Sequence, residues 1–546
     1  MMKPPHARTL FDLLDELAER QPNAPAVVSE QGETVSYEEL RQQATMIAGS
    51  LSAIGVERGD VVGLLCSNRP EWLAAAFGAA RVGATVAAFN TWVRLWDLEH
   101  MLETARPSIL ITLDRLLKQD YLALLQEIVP EAWSAPPGAW RSERYPELRA
   151  IAVIGDERPT GCHSFADWLG EGGGAAAPSP EGPAPDDTAI ILYTSGSTAR
   201  PKAVPLLHYA MIENGFGIGE RMLLGPDDRV WLSAPLFWSY GCSNALVSTF
   251  THGSTLVLQE TFDPGNALAL IERERCTALY TLPNITRALV THELFDRSRV
   301  ASLRTGLTIG LPSDVERAAS QLGVSGICNI YGGTETYGNC CVTPTDAPLA
   351  RRLQSQGPPL PGVEIRIVDS ESGAPVPDGV VGEIHVRGYV IPEYLGDAEL
   401  TAAAFTEDGF FRTGDLGALD EDGWLRFQAR ATDMIKTGGI NVSPSEVEDF
   451  LRQHPAVLDV GVVGVPDERL GEVPVAFVIL APDSDLTPDA LRGYCKAGIA
   501  GFKVPARFEL CDALPRTTTG KLDRRALGTW GNDLTSAVPV STRGPC

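Results

Sequence analysis

Long apolar runs are missing from this chain; Arg81 interrupts even the alanine-rich stretch near residue 80, so no membrane span is expected. Basic residues are scarce, 45 against 70 acidic ones, which leaves a net charge of −25. A body this acidic repels polyphosphate chains, so general nucleic-acid binding is excluded. Any anionic ligand must then be held by local Lys, Arg and backbone N–H groups. Residues Met1 to Leu10 carry no apolar signal core, and a cytoplasmic protein is expected. The ten cysteines lack metal-ligand spacing, and Cys340 and Cys341 are adjacent. They read as reduced thiols in packing roles. Internal repeats are absent, and so is a carrier domain.

What remains is a soluble globular composition, 44% apolar and 21% charged, spread over 546 residues. That length exceeds one compact core, so several domains are expected. Ser36 and Glu39 form a capping box before Leu40, Ile47, Leu51 and Ile54, and Gly55 closes the helix. Val61 to Cys66 reads as a strand, Pro70 to Arg81 as a helix and Val82 to Phe89 as the next strand. This spacing predicts a βαβ unit and a parallel sheet. Residues 170–187 have no periodic apolar face and read as a flexible connector. β–α alternation then continues to about residue 340. Alternating runs such as Val363 to Val368 and Gly382 to Val386 predict a smaller β-rich subdomain over 357–430. Beyond it lies a separate α/β module. Ser443, Pro444 and Glu446 make a second capping box there, and Val457 to Val465 and Val473 to Leu480 read as strands. The tail after Arg525 has no clear pattern and is expected to be loose.

Tyr193 to Ala203 reads YTSGSTARPKA, directly after the strand pattern Ala189 to Tyr193. Thr194, Ser195, Ser197 and Thr198 surround Gly196, and Lys202 follows with a positive charge. Hydroxyls and exposed N–H groups after a strand form a phosphate cradle; the bland alternative is a polar surface turn. It is not a Walker A loop, because the Gly-Lys-Ser/Thr ending is missing. The loop resembles the phosphate loop of the adenylate-forming superfamily, which contains acyl-CoA synthetases, adenylation domains and luciferases. Four further motifs follow in that family's order: Tyr331 to Glu335 (YGGTE), Phe411 to Gly417 (FRTGDLG), Arg430 to Glu448 (RATDMIKTGGINVSPSEVE) and Pro515 to Arg525 (PRTTTGKLDRR).

The resemblance covers nearly the whole chain, from about Thr9 to Arg525. It implies an α/β fold. A large N-terminal domain, residues 1–430, would hold two α/β subdomains and the β-rich one. A small mobile α+β C-terminal domain, residues 433–546, would follow a hinge at Thr432. It also implies a reaction in two halves: a carboxylate and ATP give an acyl-adenylate and pyrophosphate, and the acyl group then passes to a thiol. ATP or acyl-AMP, CoA and Mg²⁺ are the implied small molecules. Carried over by position, the loop residues Thr194, Ser195, Gly196, Ser197, Thr198 and Lys202 would hold phosphates, with Tyr331 and Gly332 beside the nucleotide. Thr334 would contact the α-phosphate and Glu335 would hold Mg²⁺, a hard cation suited to oxygen. Asp415 would accept from the ribose hydroxyls, with Arg430 assisting. Lys521 would bridge the carboxylate and α-phosphate, offsetting two anions brought together. Gly438 and Gly439 would line the thiol tunnel, where missing side chains let pantetheine pass near backbone.

Two departures bear on function. The family has Gly where this chain has Ala199 and Ala203 in the phosphate loop. If a positive φ is needed, each Ala costs roughly 1–2 kcal/mol. Since about 1.4 kcal/mol is tenfold in rate, adenylation is expected to be weakened or lost while thioester formation survives. A separate adenylating enzyme would then supply the intermediate; the alternative is a tolerated loop variant in a full two-step ligase. The second departure concerns the acyl pocket, which appears as PLFWSYGCSNAL from Pro235 to Leu246. No Asp is present there to hold an α-amine, so an amino acid substrate is disfavoured. Trp238, Ser239, Gly241, Gly310 and Gly333 are nominated as pocket residues. If the small ones line it, the pocket is roomy and suits a bulky apolar acid, polycyclic or aryl; the alternative is that the glycines serve turns only. Loading of a separate carrier protein, luciferase-type oxygenation and an adenylate-binding protein without turnover are the competing readings.

Overall fold

The computed structural model describes residues 3–171, 182–194, 201–430, 433–437, 440–467, 470–482, 484–499, 501–517 and 520–536. Within these residues the chain is a mixed α/β protein with a large N-terminal and a small C-terminal domain. Val61–Leu65, Pro70–Arg81 and Thr85–Ala88 form the expected βαβ unit, the two strands pairing parallel. The second strand starts later than the pattern suggested, because Gly83 turns the chain at φ +74°. The Ser36 box is complete: Ser36 Oγ accepts from Glu39 N, and Glu39 accepts from Ser36 N.

Two sheets build the large domain. Among the described residues, the first has seven strands in the order Lys202–Leu207, Thr188–Thr194, Thr85–Ala88, Val61–Leu65, Ile109–Leu113, Ala150–Ile154 and His163–Ser164. It is parallel except for the hairpin between Thr188–Thr194 and Lys202–Leu207. The second has eight strands, with parallel pairing through its centre and an antiparallel strand at each end. Parallel strands need both faces covered, which explains their near-continuous apolar sequence. A four-stranded antiparallel sheet over Glu364–Val368, Gly382–Arg387, Phe411–Leu419 and Leu425–Arg430 forms the β-rich part.

A five-stranded sheet containing Gly471–Leu480 has cores of its own, built from residues between Ile435 and Leu527. Two expectations fail in this domain. Ser443 precedes the Pro444–Arg452 helix, but its side chain caps nothing; its hydroxyl donates to the Gln428 carbonyl at 3.1 Å and Glu446 pairs with Lys503. The hydroxyl thus ties the small domain to the last strand of the β-rich sheet. The tail is also more ordered than expected, because Arg524–Ser536 is a helix. Its apolar face was hidden by polar spacing, and Leu527 is fully buried. Arg524 anchors this helix with two bonds to Glu448, at 2.6 and 3.0 Å, and one to the Val462 carbonyl at 2.8 Å. Glu448 is 3% exposed, so Arg524→Ala strands a buried charge and is expected to cost about 3–5 kcal/mol. Calorimetry should show the small domain unfolding at lower temperature, with the large domain's transition unmoved.

Candidate active site

The hairpin between the last two strands of the seven-stranded sheet carries the phosphate-loop sequence. Thr194 and Lys202 face each other at its mouth. Ser195, Gly196, Ser197, Thr198 and Ala199 lie outside the described residues, as do Thr432, Gly438 and Gly439. Thr194 Oγ1 is buried without a hydrogen-bond partner, an orphan hydroxyl at the foot of the loop. On the far side His100 Nε2 lies 3.1 Å from the Pro201 carbonyl.

Ala203 contradicts its expectation. It stands in the antiparallel ladder opposite Tyr193, its carbonyl accepts from Leu395 N at 3.0 Å, and its φ is not positive. An extended strand residue needs no glycine, so no strain is charged to this Ala.

The second element is the turn after the Gly326–Tyr331 strand. Tyr331 stacks on Phe427 with ring centroids 5.6 Å apart and donates to Asp415 Oδ2 at 2.9 Å. Asp415, in the Phe411–Leu419 strand, sits opposite Arg430 in the ladder. Arg430 Nε lies 3.0 Å from Asp415 Oδ1 without an aligned hydrogen bond. Burial raises the Asp415 pKa; Arg430 and the Tyr331 hydroxyl oppose it, and the Lys521 charge helps. Lys521 is solvent-accessible but deep in the interdomain cleft. The surrounding protein lowers its pKa, Arg430 lowers it further and Asp415 resists. Lys521 of the small domain is therefore near enough to Asp415 and Arg430 for their charges to act on it.

Thr334 and Glu335 begin a single 3-10 turn beside these groups. Thr334 Oγ1 and Ser239 Oγ share a hydrogen bond at 3.2 Å. Glu335 Oε1 accepts from the Tyr394 hydroxyl at 2.9 Å, and Lys202 Nζ lies 4.8 Å above the Tyr394 ring. Tyr394 thus links the loop lysine to the acidic residue; it was missed because an aromatic in an irregular loop gives no periodic signal. No group of three or more ligating side chains occurs among the described residues. One carboxylate with a spare oxygen fits Mg²⁺, which takes one or two protein carboxylates plus substrate phosphates and water.

Trp238 is half-buried and meets Trp92 edge-on, centroids 5.2 Å apart, while Phe237 packs against both. Trp92 is 42% exposed. The three rings form an aromatic wall running from the surface to Ser239. Two tryptophans within five residues, Trp92 and Trp96, were the available signal for it.

The glycines answer differently. A side chain on Gly241 would sit 2.1 Å from the Pro235 carbonyl, and one on Gly332 would sit 2.5 Å from that of Gly338. Gly310, at φ +152°, faces Asp314 and Pro283 at 2.7 and 3.0 Å. These three are small because backbone or fixed side chains fill the space. Gly333 alone of the nominated pocket glycines has no backbone against it; a side chain there would press on Glu335 Oε2 at 3.3 Å, and that carboxylate would have to give way.

Known proteins place this arrangement in a class. The model of the AMP-binding enzyme family matches residues 14–395, and that of the AMP-binding enzyme C-terminal domain matches residues 446–521. The putative acyl-CoA synthetase YngI of Bacillus subtilis is 34% identical over 528 residues, 95% of this chain and 96% of that protein. The 3-[(3aS,4S,7aS)-7a-methyl-1,5-dioxo-octahydro-1H-inden-4-yl]propanoyl:CoA ligase of Mycobacterium tuberculosis is 32% identical, over 95% of this chain and 98% of its own. The solved anthranilate CoA ligase AuaEII, in complex with anthranoyl-AMP, matches with a TM-score of 0.84 and 28% identity, over 98% of this chain and 100% of that one. The chain belongs to the AMP-binding enzyme family and, within it, to the acyl-CoA synthetases, which are acid–thiol ligases. Enzymes of this branch use ATP, CoA and Mg²⁺. No helix among the described residues is long and apolar enough to cross a membrane.

The glycine geometry has a direct consequence. Gly241→Ala is expected to lose about 1–3 kcal/mol of stability through overpacking. Gly333→Ala, whose new methyl meets only the Glu335 side chain, should cost less stability than Gly241→Ala and should weaken Mg²⁺ dependence by displacing that carboxylate. Thermal unfolding of both variants, with Mg²⁺ titrations of activity, separates the two effects.

Proposed function

We propose that this protein is a two-step ligase that converts an apolar, ring-bearing carboxylic acid to its CoA thioester through an acyl-adenylate. The observation that carries this reading is the meeting of Lys521, from the small domain, with Asp415 and Arg430 of the large one. In the first step the substrate carboxylate attacks the α-phosphorus of ATP and pyrophosphate leaves. Lys521 holds the two anions together, and Thr334 contacts the α-phosphate. Asp415 accepts from the ribose hydroxyls, supported by Tyr331, Gly332 and Arg430. Lys202 and the hairpin loop take the outgoing phosphates. Mg²⁺, held by Glu335, supplies charge neutralisation on the phosphate oxygens. In the second step the CoA thiol attacks the acyl carbonyl and AMP leaves, with Gly438 and Gly439 lining the approach and Thr432 as the hinge of a lid domain running to residue 546.

The aromatic wall of Trp92, Phe237 and Trp238 supports a ring-bearing acid, since flat apolar faces reward stacking. The acids named in two of the relatives, a bicyclic propanoate and anthranilate, support the same class. A roomy pocket built from glycines no longer does.

A second reading, thioester formation alone from an adenylate made by another enzyme, now stands on Ala199. The regular ladder at Ala203 removes its other support.

Two parallel assays decide between them. One gives ring-bearing acids, ATP, Mg²⁺ and CoA; the other gives the synthetic acyl-adenylate and CoA. Thioester is expected from both. Thioester from the adenylate alone, with the ATP arm restored by Ala199→Gly, would establish the second reading. Ala203→Gly should give no gain in rate. A lysine with a lowered pKa is charged only below that pKa, so the ATP arm should fall as pH rises, from below the usual lysine value of 10.5. The adenylate arm should lack this alkaline limb, and Lys521→Gln should abolish the ATP arm while sparing the other.

A further inference from the structure

Arg287 belongs to none of the five motifs. It lies on the Pro283–Thr291 helix of the large domain. Its Nη1 donates to the Leu458 carbonyl at 3.2 Å and lies 3.6 Å from Asp459 Oδ2, both in the small domain. Asp459 is 4% exposed, and it collects two more guanidinium groups. Arg452 Nη2 is 3.3 Å from Oδ1, and Arg516 Nη2 is bonded to Oδ2. Arg516 reaches on through Nη1 to the Gly520 carbonyl at 2.8 Å, one residue before Lys521.

The same helix meets the lysine loop directly. Gly520 turns at φ +78°, and a side chain there would lie 3.2 Å from Asn284 Nδ2. One large-domain helix therefore bears on the Lys521 loop twice: through Asn284, and through the relay Arg287, Asp459, Arg516.

Of the three cations around this carboxylate, Arg452 and Arg516 belong to the small domain and Arg287 crosses from the large one. Arg452 alone supplies a counter-ion from the adjacent helix of that domain. Burial pushes the Asp459 pKa up, yet Arg452, Arg287 and Arg516 together outweigh it and hold the carboxyl below its usual range. Asp459 is thus anionic in this pose, and each guanidinium is drawn to a fixed point. Among the described residues, Ser313 Oγ to Asp449 Oδ1 at 3.0 Å and Ser443 Oγ to the Gln428 carbonyl at 3.1 Å also tie the domains together, and both leave the lysine loop untouched.

We propose that Arg287 is a positioning residue for acid activation: acting through Asp459 and Arg516, it holds the Lys521 loop in the cleft beside Asp415. This rests on the reading that Lys521 serves the first step.

The test compares Arg287→Ala and Arg287→Lys with the unaltered enzyme in three measurements. These are acid-dependent ATP–pyrophosphate exchange, thioester formation from synthetic adenylate, and hydrogen–deuterium exchange over residues 516–523. Arg287→Ala should lower kcat of pyrophosphate exchange about tenfold, the scale of one lost ion-pair relay. KM for acid and ATP should hold, and thioester formation should stay within about twofold. Deuterium uptake over 516–523 should rise, and Arg287→Lys should recover part of the exchange rate. Equal loss in both half-reactions would mark a merely structural residue and overturn the proposal, as would unchanged uptake in the lysine loop. If the unaltered enzyme shows no pyrophosphate exchange, the two-step reading fails, and the deuterium measurement still decides whether Arg287 holds the loop. Asp459→Asn should reproduce the loop loosening from the other side.

Discussion

A buried carboxylate, Asp415, is the constraint on which the rest of the cleft depends. Taking an anion out of water is unfavourable unless charges and donors replace the lost hydration. The replacements come from different parts of the chain. Tyr331 arrives from the end of the eight-stranded sheet, Arg430 from the neighbouring strand of the β-rich sheet, and Lys521 from the small domain. Tyr331 and Arg430 lie within 3.0 Å of the carboxylate and Lys521 acts on it through its charge, so one desolvation problem bears on the placement of all three units. Asp415 Oδ1, near Arg430 but without a formed hydrogen bond, still has an acceptor to offer a ligand hydroxyl. The same side chain organises the cleft and retains binding capacity.

Much of this was legible in the sequence, and the reasons differ by element. The βαβ unit at Val61 to Ala88 was readable because its apolar pattern is dictated by burial on both faces of a parallel sheet. The Ser36 cap was readable because both of its bonds are local. The Ser443 cap was misread because a tertiary acceptor, the Gln428 carbonyl, competes for the same hydroxyl. Local sequence carries no information about such a competitor. The Arg524–Ser536 helix was missed for the related reason that its stability comes from Leu527 and Arg524 docking into the small domain. Among candidate site residues, Asp415 and Lys521 are nominated by their motifs; their neighbours Tyr394, Phe427, Trp92 and Asn284 are not. Those act through distance contacts that leave no fixed spacing in the chain.

Glycine and alanine were the least readable residues, because their meaning lies in the space beside them. Gly241 and Gly333 are equivalent in composition, yet one faces a backbone carbonyl at 2.1 Å and the other a carboxylate side chain at 3.3 Å. Ala203 illustrates the converse: a residue that departs from the family pattern is conformationally ordinary once its ladder partner Tyr193 is known. Substrate range inferred from counts of small residues therefore has little physical basis. The aromatic wall is better ground, since the contacts of Trp238 with Trp92 and Phe237 fix where its ring lies.

The charge pattern joins these points. A chain with a net charge of −25 must concentrate cations wherever it handles phosphate. Lys202 is held over an aromatic ring, Arg430 beside Asp415, and Lys521 in a cleft that lowers its pKa. A cation held near another cation is less stable in the free protein than it would be beside two anions. Arg430 already pushes Lys521 in that direction. The arrival of a carboxylate and a phosphate relieves that cost, so part of the attraction for the substrates is set before they bind. Placement of Lys521 then matters more than its bare charge, since a lysine free to retreat into solvent would escape the repulsion and lose the advantage. The Asp459 cluster, tethering the loop through Arg516 and answering to Arg287 across the interface, is built to prevent that retreat.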